Sequence, residues 1–148
     1  MLIRELTSND VPRFIEIVKQ LSPQASTGAM SDRSVWYDLC RLQNKRVFVA
    51  ELDGKIVGTI SILIEEKVNR GTNPLTGRLW SVAHVEEVIV DSEHRGDNIG
   101  KGLMKYAVNY AKLAGAYKVI LDCSEENVAF YEKCDMKRYE VCMRLDVV

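Results

Sequence analysis

Two stretches of this chain carry residues whose types and order suit chemistry. In the first, Val88 to Met104, an apolar run of Val88, Ile89 and Val90 passes into Arg95, Gly96, Asp97, Asn98, Ile99, Gly100 and Lys101, after which apolar residues recur at helical spacing. Strand, loop and helix in that order put the first helical amides, which lack intrahelical partners, in front of whatever lies before them. A pyrophosphate suits that position. Glycines at 96, 100 and 102 keep side chains clear, the helix dipole favours an anion, and Arg95 and Lys101 add positive charge. In the second stretch, Leu121 to Cys134, Asn127 supplies an amide that both donates and accepts. Tyr131 supplies a phenol that stays protonated at neutral pH, its ordinary pKa being about 10.

Other glycine-rich phosphate binders differ in spacing. The order G-x-G-x-x-G is absent at this turn, no acidic residue follows a second strand in the expected place, and no G-x-x-x-x-G-K-[ST] occurs. What remains, R-G-x-x-I-G-K-G from Arg95 to Gly102, resembles the signature of the GNAT superfamily of N-acetyltransferases. Asn98 stands where many members carry glycine, which a turn conformation at asparagine accommodates. The segment LDCSEENVAFYEKC resembles the glucosamine-6-phosphate N-acetyltransferases within that superfamily, together with HVEEVIVDSEHRG and YKVILDC. The likeness covers roughly the last 65 residues, whereas Met1 to about Trp80 agrees only in layout. Where that family has EKCGF this chain has Glu132, Lys133, Cys134, Asp135 and Met136, and aspartate tolerates a left-handed turn after a helix better than most residues.

The resemblance implies an α/β GNAT fold, a mixed central sheet flanked by helices in a single domain over residues 1–148. It implies acetyl-CoA as co-substrate and acetyl transfer to the amine of D-glucosamine 6-phosphate by direct attack, in UDP-N-acetylglucosamine biosynthesis. It also implies a homodimer with shared active sites. Amide formation needs a neutral amine at the thioester carbonyl, donors for the oxyanion, and a hydrogen bond or proton for the leaving thiolate. The resemblance gives the last task to Tyr131. Asn127 is expected on the pantetheine arm, with capping of the short helix as a second role. The backbone of Val88 and Val90 is expected to run antiparallel to the pantetheine. In GNAT proteins a bulge in this strand aims an amide at the thioester oxygen, which points to Val88 or Ile89.

Glu86 and Glu87 adjoin that strand, and alternation sends their side chains to opposite faces, so that one meets the acceptor and orients its amine or hydroxyls. Asp122 is a further candidate for orienting the amine, and Val88 is counted on the acceptor side as well. A sugar phosphate demands cations, for which Lys67, Arg70, Lys118 and Arg144 are available, with Tyr117 and Lys118 implied to serve a neighbouring subunit's site. Ser26 or Thr27 occupies the place of a family threonine that touches the phosphate. Two other readings remain open: a GNAT enzyme for another amine (amino acid, polyamine or protein N-terminus), and a non-catalytic acyl-CoA-binding regulator.

The elements that must position these residues follow from periodicity. A short strand opens the chain. Ser8 to Asp10 cap a helix with Pro12 in its first turn and Phe14, Ile17, Val18 and Leu21 on one face. Asp32 to Gln43 reads as a second helix burying Val35, Trp36, Leu39 and Cys40. Strands Arg46 to Leu52 and Lys55 to Ile64 flank Asp53-Gly54, a strong hairpin signal. After a turn-rich segment at 65–80 come strand His84 to Val90, helix Gly100 to Ala114 burying Leu103, Ala107, Ala111 and Ala114, and strand Tyr117 to Cys123. A short helix near Asn127 to Lys133 and a last strand near Arg138 to Asp146 complete the order βααβββαβαβ.

Composition narrows the partners. Twenty basic and 21 acidic residues leave a net charge of −1, which draws neither nucleic acid nor an anionic membrane and favours a small-molecule substrate. No apolar run is long enough for a membrane span and no secretory signal opens the chain, so a soluble, cytoplasmic protein is expected. Cys40, Cys123, Cys134 and Cys142 form no C-x-x-C pair, and with His84 and His94 lack ligand spacing. They are expected as buried thiols, with no metal.

Overall fold

Asp53 and Gly54 adopt left-handed φ values of 50° and 76° in a computed structural model that describes residues 1–21 and 32–147. Two positive-φ residues make the tight hairpin that joins strand β2 (Lys45–Leu52) to β3 (Lys55–Glu66). With β1 (Leu2–Glu5), β4 (Ser81–Val90) and β5 (Ala116–Ile120) they form one sheet in the order β1-β2-β3-β4-β5, antiparallel except for the parallel pair β4–β5. Ile56, Val57, Ile60 and Ile62 are almost fully buried because both faces of β3 are covered.

Helix α1 (Val11–Lys19) follows a turn in which the Asp10 carboxylate accepts from the Thr7 amide at 2.7 Å, and it packs Val11, Phe14, Ile15 and Ile17 on one face of the sheet. Val35, Trp36 and Leu39 of α2 (Asp32–Arg41) lie partly buried beside them. Helix α3 (Ile99–Leu113) covers the other face with Leu103, Met104, Ala107 and Ala111 and stops at Gly115, whose φ is +80°. Gly58 lets α3 sit close, since a Cβ there would lie 3.0 Å from the Ile89 carbonyl and 3.2 Å from Ile99 and Leu103. Helix α4 (Val128–Glu132) is followed by a turn through Asp135, whose φ of 64° lets the Met136 amide reach the Tyr131 carbonyl at 3.1 Å.

Several expectations are corrected. Leu21 is exposed, because α1 ends at Lys19 and the following turn carries it off the buried face. Cys40 is exposed, one step around α2 from Leu39, and Ala114 lies exposed past the end of α3. Cys123 and Cys142 are exposed too, leaving Cys134 alone half-buried. Residues 137–147 form no strand, since no strand among the described residues pairs with their backbone, and Tyr139, Val141, Met143, Leu145 and Val147 are 84–87% exposed. Ser26 and Thr27 lie outside the described residues. Among those described, no helix is long and apolar enough to cross a membrane, and no group of three His, Cys, Asp or Glu side chains is placed to hold a metal.

Candidate active site

The parallel strands β4 and β5 pair only from Ser81–Ala116 to His84–Ile120. Beyond His84 the β4 edge has no β5 neighbour, so Val85 to Val90 presents unpaired backbone groups to a cleft. That cleft is a groove of about 450 Å³, lined by Val88, Val90, His94, Arg95, Gly96, Asn98 and by the start of α3 through Lys101. Its far wall is α4, with Asn127, Phe130, Tyr131, Lys133 and Cys134.

One end of the groove is the anion cradle. Asn98 takes a left-handed φ of 59° just before α3, and its carbonyl accepts the Gly102 amide at 3.0 Å as the first helical bond. The amides of Ile99, Gly100 and Lys101 are therefore left for a ligand. Gly96, at φ +96°, has open space where a Cβ would stand, and at Gly100 a Cβ would meet the Phe130 ring at 3.0 Å. The cradle is braced from behind by buried Asp91, which accepts from Gln20 at 3.2 Å and pairs with Arg13 of α1. These bonds hold the Asp91 carboxyl below its ordinary range, in spite of the burial that opposes them.

At the other end the strand itself is irregular. Thr59 pairs with Ile89 and Ser61 with Glu86, so Glu87 and Val88 together face the single residue Ile60. This is a β-bulge, with Glu87 at φ 51°. It interrupts the alternation of side chains. Glu86 and Glu87 turn to the same side, each carboxylate meeting Lys45 Nζ, at 3.0 and 3.1 Å, and Glu87 also accepts from Ser61 Oγ at 2.6 Å. The expectation that the two glutamates face opposite ways is thus corrected. The same shift turns Val88 and Val90 toward the groove and Ile89 toward the α1 side.

The sequence pattern described as the acetyltransferase (GNAT) family matches residues 12–136. The chain belongs to the GNAT acetyltransferase family. It is 36% identical over 151 residues to glucosamine 6-phosphate N-acetyltransferase of Arabidopsis thaliana, covering 95% of this chain and 93% of that protein. To the enzyme of the same name from Trypanosoma brucei brucei it is 41% identical over 147 residues, covering 98% and 95%. The crystal structure of the Arabidopsis enzyme superposes with a TM-score of 0.86 at 34% identity over 99% of this chain and 98% of that one.

In this GNAT enzyme the groove gathers Val88, Val90, Arg95, Gly96, Asn98, Ile99, Gly100, Lys101, Asn127 and Tyr131, as the motifs led one to expect. Asp97 and the Ile89 side chain do not line it, Ile89 being buried against α1. The Asn127 side chain makes no cap bond and donates instead to Ser124 Oγ at 3.0 Å. Asp122 stands 3.8 Å from His84 Nε2, exposed at the splayed end of the strands. Phe130, Lys133 and His94 went unnoticed in the sequence. Phe130 and Lys133 neighbour positions on α4 that point to the groove, and His94 directly precedes the Arg95 motif. Burial raises the pKa of the Tyr131 phenol, with the Cys123 and Cys134 thiols adding to the effect, and burial likewise pushes the Cys134 thiol up. A raised pKa makes Cys134 a poor nucleophile at neutral pH.

The candidate phosphate cations divide. Lys67 is paired with Glu65 at 2.7 Å and Arg144 with Asp146 at 2.7 Å. Arg70 lies over the Tyr117 ring at 4.3 Å, with Lys118 Nζ 5.7 Å from the same ring, and among the described residues neither cation has a carboxylate partner.

Proposed function

We propose that this enzyme transfers acetyl from acetyl-CoA to the amine of D-glucosamine 6-phosphate. The observation that carries the reading is a groove lined by an anion cradle and by Val88 and Val90 of a bulged strand, whose two carboxylates stand beside Lys45 outside the groove lining, in a chain whose nearly full-length relatives bear that activity in their names. The amides at the start of α3, with Arg95 and Lys101, hold the diphosphate. The free edge of β4 takes the pantetheine as a further strand, Asn127 bonds its amides, and the bulge leaves the Val88 amide unpaired to donate to the thioester oxygen.

Glu86, Glu87 and Asp122 orient the amine. Its nitrogen attacks the thioester carbonyl, the C–N bond forms as the C–S bond breaks, and the Tyr131 hydroxyl hydrogen-bonds the departing sulfur. The proton lost by the amine ends on the thiol. No covalent enzyme intermediate is needed.

The enzyme works as a homodimer. The cation pair around Tyr117 supports this. Lys118 pairs with Val82, six residues before Val88, which at about 3.3 Å per residue is roughly 20 Å from the groove. A sugar phosphate cannot bridge that distance, so Arg70, Tyr117 and Lys118 reach the phosphate in a neighbouring copy. The alternation of exposed apolar residues in 139–147 has the period of a strand that lacks a sheet. A second copy supplies one.

The test is thiol release from acetyl-CoA with glucosamine 6-phosphate, glucosamine, amino acids and polyamines. Release confined to the phosphorylated sugar is expected. Faster release with another amine overturns the substrate, and a monomer at working concentration by sedimentation overturns the shared site.

A further inference from the structure

We propose that Lys45 is a positioning residue for the acceptor, clamping Glu86 and Glu87 so that two carboxylate oxygens face the incoming amine. The inference rests on reading the groove as the acetyl-transfer site.

Lys45 opens β2 and is separated from β4 by the whole width of β3. It pairs with Leu63, whereas Glu86 pairs with Ser61, so its stem must lean across β3 to bring Nζ 3.0 Å from Glu86 Oε2 and 3.1 Å from Glu87 Oε2. The lysine side chain is 16% exposed, against 35% and 42% for the two glutamates. Burial opposes its charge, yet the two carboxylates more than offset that, and its pKa lies above the ordinary value. Lys45 is therefore a cation throughout the working range.

The clamp has a chemical consequence. Two adjacent carboxylates turned to one side of a strand repel each other, and the ammonium bonded to both offsets that repulsion and holds them side by side. With Lys45 and Ser61 both bonded through Oε2, each glutamate keeps Oε1 without a protein partner among the described residues. Two such oxygens, carried on neighbouring residues, suit an amine and an adjacent hydroxyl of the acceptor. Lys45 needs no contact with either.

The experiment compares wild type with Lys45→Met, which keeps the stem, and with Lys45→Arg and Lys45→Gln, varying glucosamine 6-phosphate at saturating acetyl-CoA. Loss of a charge-assisted bond predicts a fall in acceptor kcat/KM of about tenfold or more for methionine and glutamine, with recovery in arginine. The KM for acetyl-CoA stays within about twofold and Tm near wild type. An unchanged acceptor kcat/KM overturns the proposal, as does a lower acceptor KM, which would mean the lysine competes with the amine. Equal losses for both substrates with a lowered Tm and no rescue by arginine overturn it as well. If wild type ignores glucosamine 6-phosphate but acetylates another amine, the substrate reading fails and that amine decides the role of Lys45.

Discussion

Replacing Tyr131 with phenylalanine removes one oxygen from the groove and little else. The ring makes an edge contact with Phe130 at 5.0 Å and packs on the cluster beneath α3, and no described protein group bonds its hydroxyl. Stability should change by no more than about 0.5 kcal/mol, a Tm shift under about 2 °C in a domain of this size. The phenol's pKa is raised above its ordinary value of 10.0, chiefly by burial. An alkyl thiol lies near 8.5, so complete proton transfer from Tyr131 to the thiolate is uphill by more than about 1.5 pH units, or about 2 kcal/mol. The phenol must therefore act as a hydrogen-bond donor to the growing charge. Such bonds to charged groups contribute about 1.5–3 kcal/mol, so Tyr131→Phe should lower kcat by roughly 10- to 150-fold. Thiol release at saturating substrates measures this, and calorimetric acetyl-CoA affinity should stay within about threefold. A kcat within about threefold of wild type refutes the role. A rate loss accompanied by a Tm fall beyond about 5 °C would trace it to packing instead.

Gly100→Leu drives a Cβ to 3.0 Å from Phe130 and fills the cradle, so acetyl-CoA affinity should fall by tenfold or more, and unchanged affinity contradicts the phosphate site. Asn98 sits at φ 59°, so Asn98→Gly should be neutral while Asn98→Val should cost roughly 1–2 kcal/mol; equal melting temperatures would remove the left-handed turn from the argument. Asp10 is held at about 2 against an ordinary 3.8, first by its bond with Arg4. A carboxylate with a depressed folded pKa stabilises above the unfolded value. Its contribution of about 2 kcal/mol should thus be complete above about pH 4 and lost as pH falls to about 2. Urea denaturation should show Asp10→Asn weaker than wild type at pH 7 and the difference shrinking through that window.

What could be read from the sequence was local. Asp53-Gly54, the Arg95–Gly102 turn and the α4 face each follow from neighbours within a few residues, and the structure keeps them. Asp135 after α4 likewise behaves as a left-handed aspartate should. The bulge was expected only by resemblance, because the run from Val88 to Val90 is apolar with or without it. Glu86 and Glu87 misled for the same reason: alternation holds for a regular strand, and the extra residue at 87 cancels it. Lys45 could not be seen at all, lying 41 and 42 residues from its partners. Arg138 to Asp146 has the pattern of a strand, but a strand needs a neighbour, and a pattern does not say which chain supplies it.

The bulge links the two halves of the chemistry. A glutamate at φ 51° costs on the order of 1–3 kcal/mol, and it persists because its surroundings over-determine it. Here those surroundings are Ser61 Oγ and Lys45 Nζ, both holding the Glu87 carboxylate. The backbone irregularity that turns Val88 and Val90 toward the groove is thus maintained by the side-chain bonds that hold the two carboxylates together beside Lys45. A change at Glu87 would therefore disturb both substrates together, whereas a change at Lys45 leaves the Ser61 bond in place and acts on the acceptor alone. The contrast between these two positions separates the strain in the strand from the charge beside it.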